Sequence, residues 1–288
     1  MSGVEAGPVT GPATGLRIAP MSVADLRLAL DWAAAEGWNP GLGDAEAFHA
    51  ADPGGFLMGW IGDAPVAAIS VVRHSARFAF LGLYLCRPEW RGRGIGWAVW
   101  QAGLACAGDR TIGLDGVAAQ QENYRRSGFV AAGRTLRHAG RVAPGPAEGL
   151  TTVAPGDAAA LDRAATGIDR PAFLAAWCTD TADRRSLGLR RDGALVAFGT
   201  VRLCRAGVKV GPLTAGSAGD AHRLLRALAG LFPDQPLVLD VPAAHADAVT
   251  LAGSLGLRPD FETARMYRGP APGGAAGRVW GVATLELG

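Results

Sequence analysis

The stretch over residues 83–97, LYLCRPEWRGRGIGW, constrains this chain more than any other. The apolar run Leu83-Tyr84-Leu85-Cys86 reads as the end of a strand. It gives way to a basic turn, Arg87-Pro88-Glu89-Trp90-Arg91, and then to three glycines in five residues, Gly92, Gly94 and Gly96. Ile95 and Trp97 open an apolar helical pattern. Glycine adopts backbone conformations that a side chain forbids and lets main-chain N–H groups come close to a partner. The unpaired N–H groups of a helix's first turn attract an anion. Arg91 and Arg93 put positive charge at the same place. The glycine spacing excludes the dinucleotide fingerprint, and no Gly-Lys-Ser/Thr closes a Walker loop. Taken alone, the stretch also suits a plain strand–helix connection.

A second motif lies downstream. Residues 120–129, QQENYRRSGF, read as a short helix ending at Gly128. The pattern Arg91-x-x-Gly94-x-Gly96 resembles the acyl-CoA pyrophosphate loop of the GCN5-related N-acetyltransferase (GNAT) family. Tyr124, four residues before Gly128-Phe129, resembles that family's Tyr-x-x-x-Gly-Phe signature. The family order is strand, phosphate loop, helix, strand, Tyr helix and Gly-Phe strand, and all six stand here in order.

The resemblance implies an α/β fold (α+β, with a mixed sheet) and acetyl-CoA as the cofactor. It implies that Arg91, Gly92, Arg93, Gly94, Ile95, Gly96 and Trp97 hold the pyrophosphate. Tyr84 and Cys86 would offer backbone groups to the thioester and pantetheine arm, and Asn123 joins the cofactor residues. The Tyr84 N–H would face the oxyanion, and Tyr124 would be the general acid; the alternative for Tyr124 is packing against the Gly-Phe turn. Cys86 has no His or Asp placed to activate it as a nucleophile. Glu36, Asp44, His74, Glu89 and Asp115 are the candidates for a general base. Asp115, at the carboxyl end of its strand, is favoured as a catalytic or substrate-side group, while its echo Asp240 in the second part of the chain favours a structural role.

Residues 1–15 carry almost no large apolar side chain and read as a disordered tail. Residues 16–20 read as a strand, and Ser22 caps a helix carrying Leu26, Leu28, Leu30 and Trp32. Residues 36–44 are a Gly/Asn/Pro loop, followed by a short helix through Phe48. By the resemblance this segment lines the acceptor side, which makes Trp38, Asn39, Asp44 and Phe48 substrate candidates; Trp38 and Phe48 equally suit packing of the loop. Strands over residues 56–61, 66–73 and 77–86 lead into the loop. A helix over residues 95–107 with Trp97, Trp100 and Leu104 on one face and a strand over 111–115 follow it.

The Pro/Gly-rich segment 142–149 divides the chain into residues 16–141 and 150–288. The second part reads as a degenerate copy of the first. Strands are expected over residues 150–153, 187–190, 194–203 and 208–213, helices over 156–165 and 170–177, and a final strand over 278–287. Gly256 lies 128 positions after Gly128, and Leu213 the same distance after Leu85. Leu239-Asp240 echoes Leu114-Asp115. The copy has Thr214-Ala215-Gly216-Ser217-Ala218-Gly219-Asp220 in place of the arginine-bearing loop, and Ala252 in place of the tyrosine. This half is expected neither to bind acyl-CoA nor to catalyse. The whole resembles bacterial tandem GNAT proteins with a divergent second domain.

Charged residues make up 19% of the chain and the formal net charge is +2, which offers no footprint for nucleic acid. Cys86, Cys106, Cys178 and Cys204 form no C-x-x-C pair, and the five histidines make no cluster with them, so no metal site is expected. Scattered thiols, no signal-peptide pattern and no membrane-spanning run point to a cytoplasmic protein. The expected function is acetyl transfer from acetyl-CoA to the amine of a small molecule, in a monomer or homodimer. Two alternatives stay open: a protein lysine or N-terminus as acceptor, or a non-catalytic acyl-CoA-binding regulatory module.

Overall fold

A computed structural model describes residues 15–288. Apart from Gly15, the expected tail lies outside the described residues.

The first half runs β1 (Leu16–Pro20), α1 (Val23–Ala35), α2 (Asp44–Ala51), β2 (Phe56–Ile61), β3 (Ala64–Arg73), β4 (Phe78–Cys86), α3 (Ile95–Ala107), β5 (Thr111–Gly116), α4 (Gln121–Arg126) and β6 (Val130–Gly140). Ser22 and Asp25 cap α1 reciprocally, each side chain accepting the other's backbone N–H. The helix then buries Leu26, Ala29, Leu30 and Ala33, a stripe with helical period. The expected face of α3 differs. Ile95, Val99, Trp100, Gly103 and Ala107 are buried, while Trp97 stays 43% exposed.

The second half repeats the order with β7 (Leu150–Thr151), α5 (Pro155–Thr166), α6 (Pro171–Trp177), β8 (Arg184–Arg191), β9 (Ala194–Leu203), β10 (Val208–Ala215), α7 (Ala218–Gly230), β11 (Leu237–Pro242), α8 (Ala246–Ser254), β12 (Arg258–Arg268) and β13 (Val279–Gly281). Each end of β12 lies 128 positions after the matching end of β6. Gly128 and Gly256 both take positive φ, +86° and +83°, at equivalent turns. The duplication read from the sequence is present in the fold. Helices α7 and α8 were not marked in the sequence, and Asp220 belongs to the first turn of α7, not to a loop. The expected strand over residues 278–287 shrinks to β13. Beyond it the chain leaves the sheet, with Val282 N–H donating to the Asp240 carbonyl at 2.9 Å.

All strands join one sheet in the order β1-β2-β3-β4-β5-β12-β6-β11-β10-β9-β8-β7, with β13 against β10. The halves exchange their last long strands. β12, from the second half, pairs with β5 of the first, while β6, from the first half, pairs with β11 of the second. Two bidentate ion pairs sit on this exchange. Arg265 of β12 holds Asp115 of β5 at 2.9 and 2.7 Å. Arg137 of β6 holds Asp240 of β11 at 2.7 and 2.8 Å. Burial raises the Asp240 carboxyl, but the Arg137 hydrogen bonds and charge outweigh it, so the net direction is down. Burial likewise opposes the Arg265 charge, and the facing Asp115 outweighs it, so the guanidinium pKa rises. Burial prevails for the Asp115 carboxyl and raises it. Two short bonds to one guanidinium nevertheless make the charged pair the form that the geometry fits.

One face of the sheet carries a core shared by both halves, built from α1, α2, α5 and α6. Phe48 stacks on Trp177 with centroids 5.7 Å apart, and Trp177 on Phe173 at 5.1 Å. The opposite face carries two separate cores, one under α3 and one under α7 and α8. His74 joins the shared side, its Nε2 at 2.8 Å from the Leu287 carbonyl. Burial, with Arg170 nearby, lowers its pKa to about 3.

Two outcomes are expected. Replacing Arg265 with Leu leaves a buried carboxylate unpaired and costs about 3–5 kcal/mol in denaturant unfolding; the Asp115→Leu/Arg265→Leu double variant loses much less. For His74 the folded pKa lies below the unfolded value. Its contribution to stability is therefore present above pH ~6.5 and is lost as the pH falls. The melting temperature should drop between pH 7 and 5 by a larger amount in the wild type than in His74→Gln.

Candidate active site

The centre of the first half is a bulge in β4. Against β3, Gly82 faces Ser70 and Leu85 faces Ala68, so β4 carries one residue more than its neighbour over this interval. Leu83 absorbs the excess at φ +45°, an uncommon conformation for leucine that its complete packing maintains. The bulge also resets the alternation of the strand. Phe78 and Phe80 face the α5 side, and Leu83 and Leu85 enter the shared core. Tyr84 and Cys86 turn instead toward α3. β4 pairs with β5 only from Phe78 to Leu81, so Leu83 and Tyr84 stand in neither neighbour's register. Their backbone groups border a gap between the splayed strands.

The loop beyond β4 behaves as its glycines require. Gly92 and Gly94 take φ of +74° and +76°, and Gly94 is the N-cap of α3. The first bond of the helix runs from Ala98 N–H to the Gly94 carbonyl at 3.0 Å, so the N–H groups of Ile95, Gly96 and Trp97 have no partner within the helix. A side chain at Gly96 would press on Tyr84 Oη, 3.0 Å from its first carbon. Arg91 braces the loop, donating to the Cys86 carbonyl at 2.9 Å and to Glu36 at 2.6 Å. Arg93 is exposed, its guanidinium 5.0 Å above the Trp90 ring.

Tyr124, on α4, closes the other side of the gap. Its ring lies over Gly116 at the end of β5, where a side chain would come within 3.0 Å of it. Trp100 of α3 stands between the tyrosines, edge-to-face with Tyr84 at 5.1 Å and stacked on Tyr124 at 5.4 Å. Trp100 is the residue that sequence reasoning left without a role; its position one turn after Gly96 was the available signal. Among the described residues neither tyrosine hydroxyl has a hydrogen-bond partner. Burial, with Cys86 beside it, pushes Tyr84 up to about 12, and burial with Tyr84 beside it raises Tyr124 further. Both are neutral O–H donors near pH 7. Burial also raises the Cys86 thiol, against the opposing Arg91 charge, which leaves it a poor nucleophile. Asn123 is bonded locally, donating to Gln120 at 2.9 Å.

The four residues expected on the acceptor side serve the seam between the halves. Asp44 is buried, 3.2 Å from both Arg184 and Arg202. Phe48 is fully buried in the aromatic stack. Asn39 exchanges two hydrogen bonds with the Ala206 backbone, at 2.8 and 2.9 Å. The Trp38 carbonyl accepts from Lys209 at 3.2 Å. For Asp44 and Phe48, buried in the seam, this corrects an acceptor-lining reading: a charge or ring after α1 looks the same in sequence whether it meets a ligand or a second half. The candidate bases are engaged as well. Glu36 pairs with Arg91, Glu89 with Arg87, Asp115 with Arg265, and His74 is held neutral. Asp115 is thereby a structural anchor whose backbone, not its carboxylate, borders the gap.

The second half has the same splay and fills it. β10 pairs with β11 only from Val208 to Val210, and β13 then inserts against Leu213 and Thr214. Trp280 donates to the Ala215 carbonyl at 3.0 Å, and His245 Nδ1 lies 2.9 Å from the Val279 carbonyl. Every residue of β10 is buried, whereas Gly82, Tyr84 and Cys86 of β4 keep partial exposure. Asp220 stands in the first turn of α7, paired with Arg191, and Ala252 replaces the tyrosine. Unpaired strand backbone, the glycine turn and the open gap of the first half fit an extended ligand that ends in a phosphate. The second half offers none of the three.

The profile of the Acetyltransferase (GNAT) family matches residues 24–129, and that of an Acetyltransferase (GNAT) domain matches residues 158–281. Holothin acyltransferase from Pseudoalteromonas sp. (strain SANK 73390) is 32% identical over 275 residues, covering 93% of this chain and 93% of that protein. A putative acetyltransferase from Pyrococcus horikoshii shares the fold over 99% of both chains, with TM-score 0.81 and 22% identity. A tandem GNAT protein from the clavulanic acid biosynthesis pathway does so over 89% of this chain and 99% of its own, with TM-score 0.59 and 17% identity. Among the described residues no cluster of His, Cys, Asp or Glu is arranged to hold a metal, and no helix is long and apolar enough to cross a membrane.

Calorimetry should therefore find one acetyl-CoA per chain. Gly94→Glu, which places a carboxylate and a side chain at a positive-φ helix cap, should abolish that binding. A stoichiometry of two would mean that β13 leaves its cleft.

Proposed function

The chain belongs to the Acetyltransferase (GNAT) family, and from that premise we propose that its first half transfers an acetyl group from acetyl-CoA to the amine of a small molecule. One observation carries the reading: of two equivalent strand splays, that of the first half is open and lined by Tyr84 and Tyr124, and that of the second is filled by its own β13.

The N–H groups of residues 95–97, with Gly92, Gly94 and Arg93, would hold the pyrophosphate. The splayed backbone of Tyr84 and Cys86 would hold the arm that follows. Bound acetyl-CoA supplies the activated thioester. The Tyr84 N–H, free of both neighbouring strands, donates to the carbonyl oxygen on which negative charge develops. The amine nitrogen forms the new C–N bond as the C–S bond breaks. Tyr124, neutral and buried, gives its proton to the departing sulfur and regains one as the amine nitrogen loses its surplus proton to water.

The cover of the acceptor side supports a small acceptor. Helices α5 and α6 and the segment after β13 lie over the face of β4 that an amine must approach. The holothin acyltransferase relative gives a first probe, and amino acids, polyamines and aminoglycosides complete a panel.

Thiol release from acetyl-CoA should depend on one of these amines. Tyr124→Phe should lower kcat by roughly 10²-fold with cofactor affinity unchanged. Because burial raises the Tyr124 pKa, the wild-type rate should climb with pH through 9 as the amine deprotonates, with no falling limb from the acid. Unchanged turnover in the variant would remove Tyr124 from that role.

A further inference from the structure

Ser70 lies on β3 directly opposite Gly82, at the start of the bulge. Its neighbours Ala68 and Val72 belong to the shared core, so alternation puts its side chain on the same face, the one from which an acceptor must come. The residue is wholly buried, and its hydroxyl has no hydrogen-bond partner. Buried hydroxyls are rarely left so, because the group loses its water without replacement. The counterpart in the second half shows what a structural hydroxyl does at this place. Thr200 bonds to Ser186, its cross-strand partner, at 2.8 Å. Ser70 instead has Phe56 as its cross-strand partner, which has nothing to offer.

A second unpartnered oxygen meets Gly82, the residue opposite Ser70. The Glu286 carbonyl packs against Gly82 more closely than any side chain there would permit. Among the described residues no donor reaches it. Gly82 itself keeps partial exposure. Two hydrogen-bond acceptors thus flank the residue at which β4 departs from β5, across the strand from the cofactor loop.

We propose that Ser70 Oγ and the Glu286 carbonyl form the seat of the acceptor amine. A neutral amine donates one N–H to each oxygen, which leaves its lone pair free to face the gap between β4 and β5. This rests on the amine-transfer reading above. It makes Ser70 a positioning residue, chosen for an acceptor that brings two N–H groups; Gly stands at position 82 because a Cβ there would collide with the Glu286 backbone.

The test compares Ser70→Ala and Ser70→Thr in the full chain, with holothin and the panel amines as probes. In Ser70→Ala the KM for the amine should rise about tenfold, the loss of one hydrogen bond. The KM for acetyl-CoA should stay within twofold. The melting temperature of the variant should hold or rise, because an unsatisfied buried hydroxyl has been removed. Ser70→Thr keeps the hydroxyl and should retain the wild-type KM. An unchanged amine KM in Ser70→Ala beside an active wild type would overturn the seat. So would a lower melting temperature, which would give the hydroxyl a folding role. A wild type that binds acetyl-CoA yet acylates no amine would overturn the transfer reading itself, and the seat with it.

Discussion

Each half of this protein carries an aspartate whose arginine is in the other half. Asp115 is held by Arg265, and Asp240 by Arg137, through paired short hydrogen bonds on the two strands that the halves trade. Removal of an aspartate from water is costly, and only a guanidinium in bidentate contact offsets that cost. The sheet of the first half thus needs β12 beside β5, and that of the second needs β6 beside β11. The reaction centre inherits this dependence. β5 forms one wall of the open gap, and its end is set by Asp115, whose side chain is fully enclosed while its backbone stays partly exposed. The anchor recurs as Asp115 and Asp240 because both sheets need it, whereas only the first half keeps its cleft open.

Duplication with one open cleft makes the fold its own control. The same splay occurs twice, and the differences fall on a few positions. Tyr124 lies over Gly116 in the first half, and buried Ala252 takes its place in the second. Arg91 and three glycines give way to Ser217, which caps α7, and to Asp220. Ser70 lacks a partner where Thr200 has one. Each first-half feature is unfavourable or neutral for folding: a leucine at positive φ, an unsatisfied hydroxyl, strand backbone without a ladder. In the second half the corresponding groups are paired, capped or covered. Features that cost stability in one copy and are repaired in the other mark where binding, not folding, has set the residue.

Much of this was legible in the sequence because it is local. A glycine-rich turn after an apolar strand, a tyrosine four residues before Gly-Phe and a 128-residue offset need no knowledge of the tertiary structure. What could not be read is non-local. The strand exchange leaves no trace in β6 or β12, since each remains an ordinary strand whichever neighbour it takes. β13 looks like the end of a long final strand, and only its position in the second cleft stops it at Gly281. Asn39, between α1 and α2, and Asp44 and Phe48, on α2, lie where an acceptor is expected, and each contacts the second half. A hydroxyl's lack of a partner is likewise invisible until the residue across the strand, here Phe56, is known.

The seam between the halves also bears on the size of the acceptor. Asp44 binds two arginines, Arg184 and Arg202, whose guanidinium groups lie 4.3 and 4.7 Å over the Trp177 ring, and Trp177 stacks on Phe48. Such a contact is both apolar and charge-paired, and opening it would expose the ring and strand the aspartate. The helices over the face of β4 are therefore held from both sides. Under the proposed transfer, an acceptor reaching the bulge would pass residues 282–288, which the second half supplies. The second half, having closed its own cleft, shapes the entrance to the other.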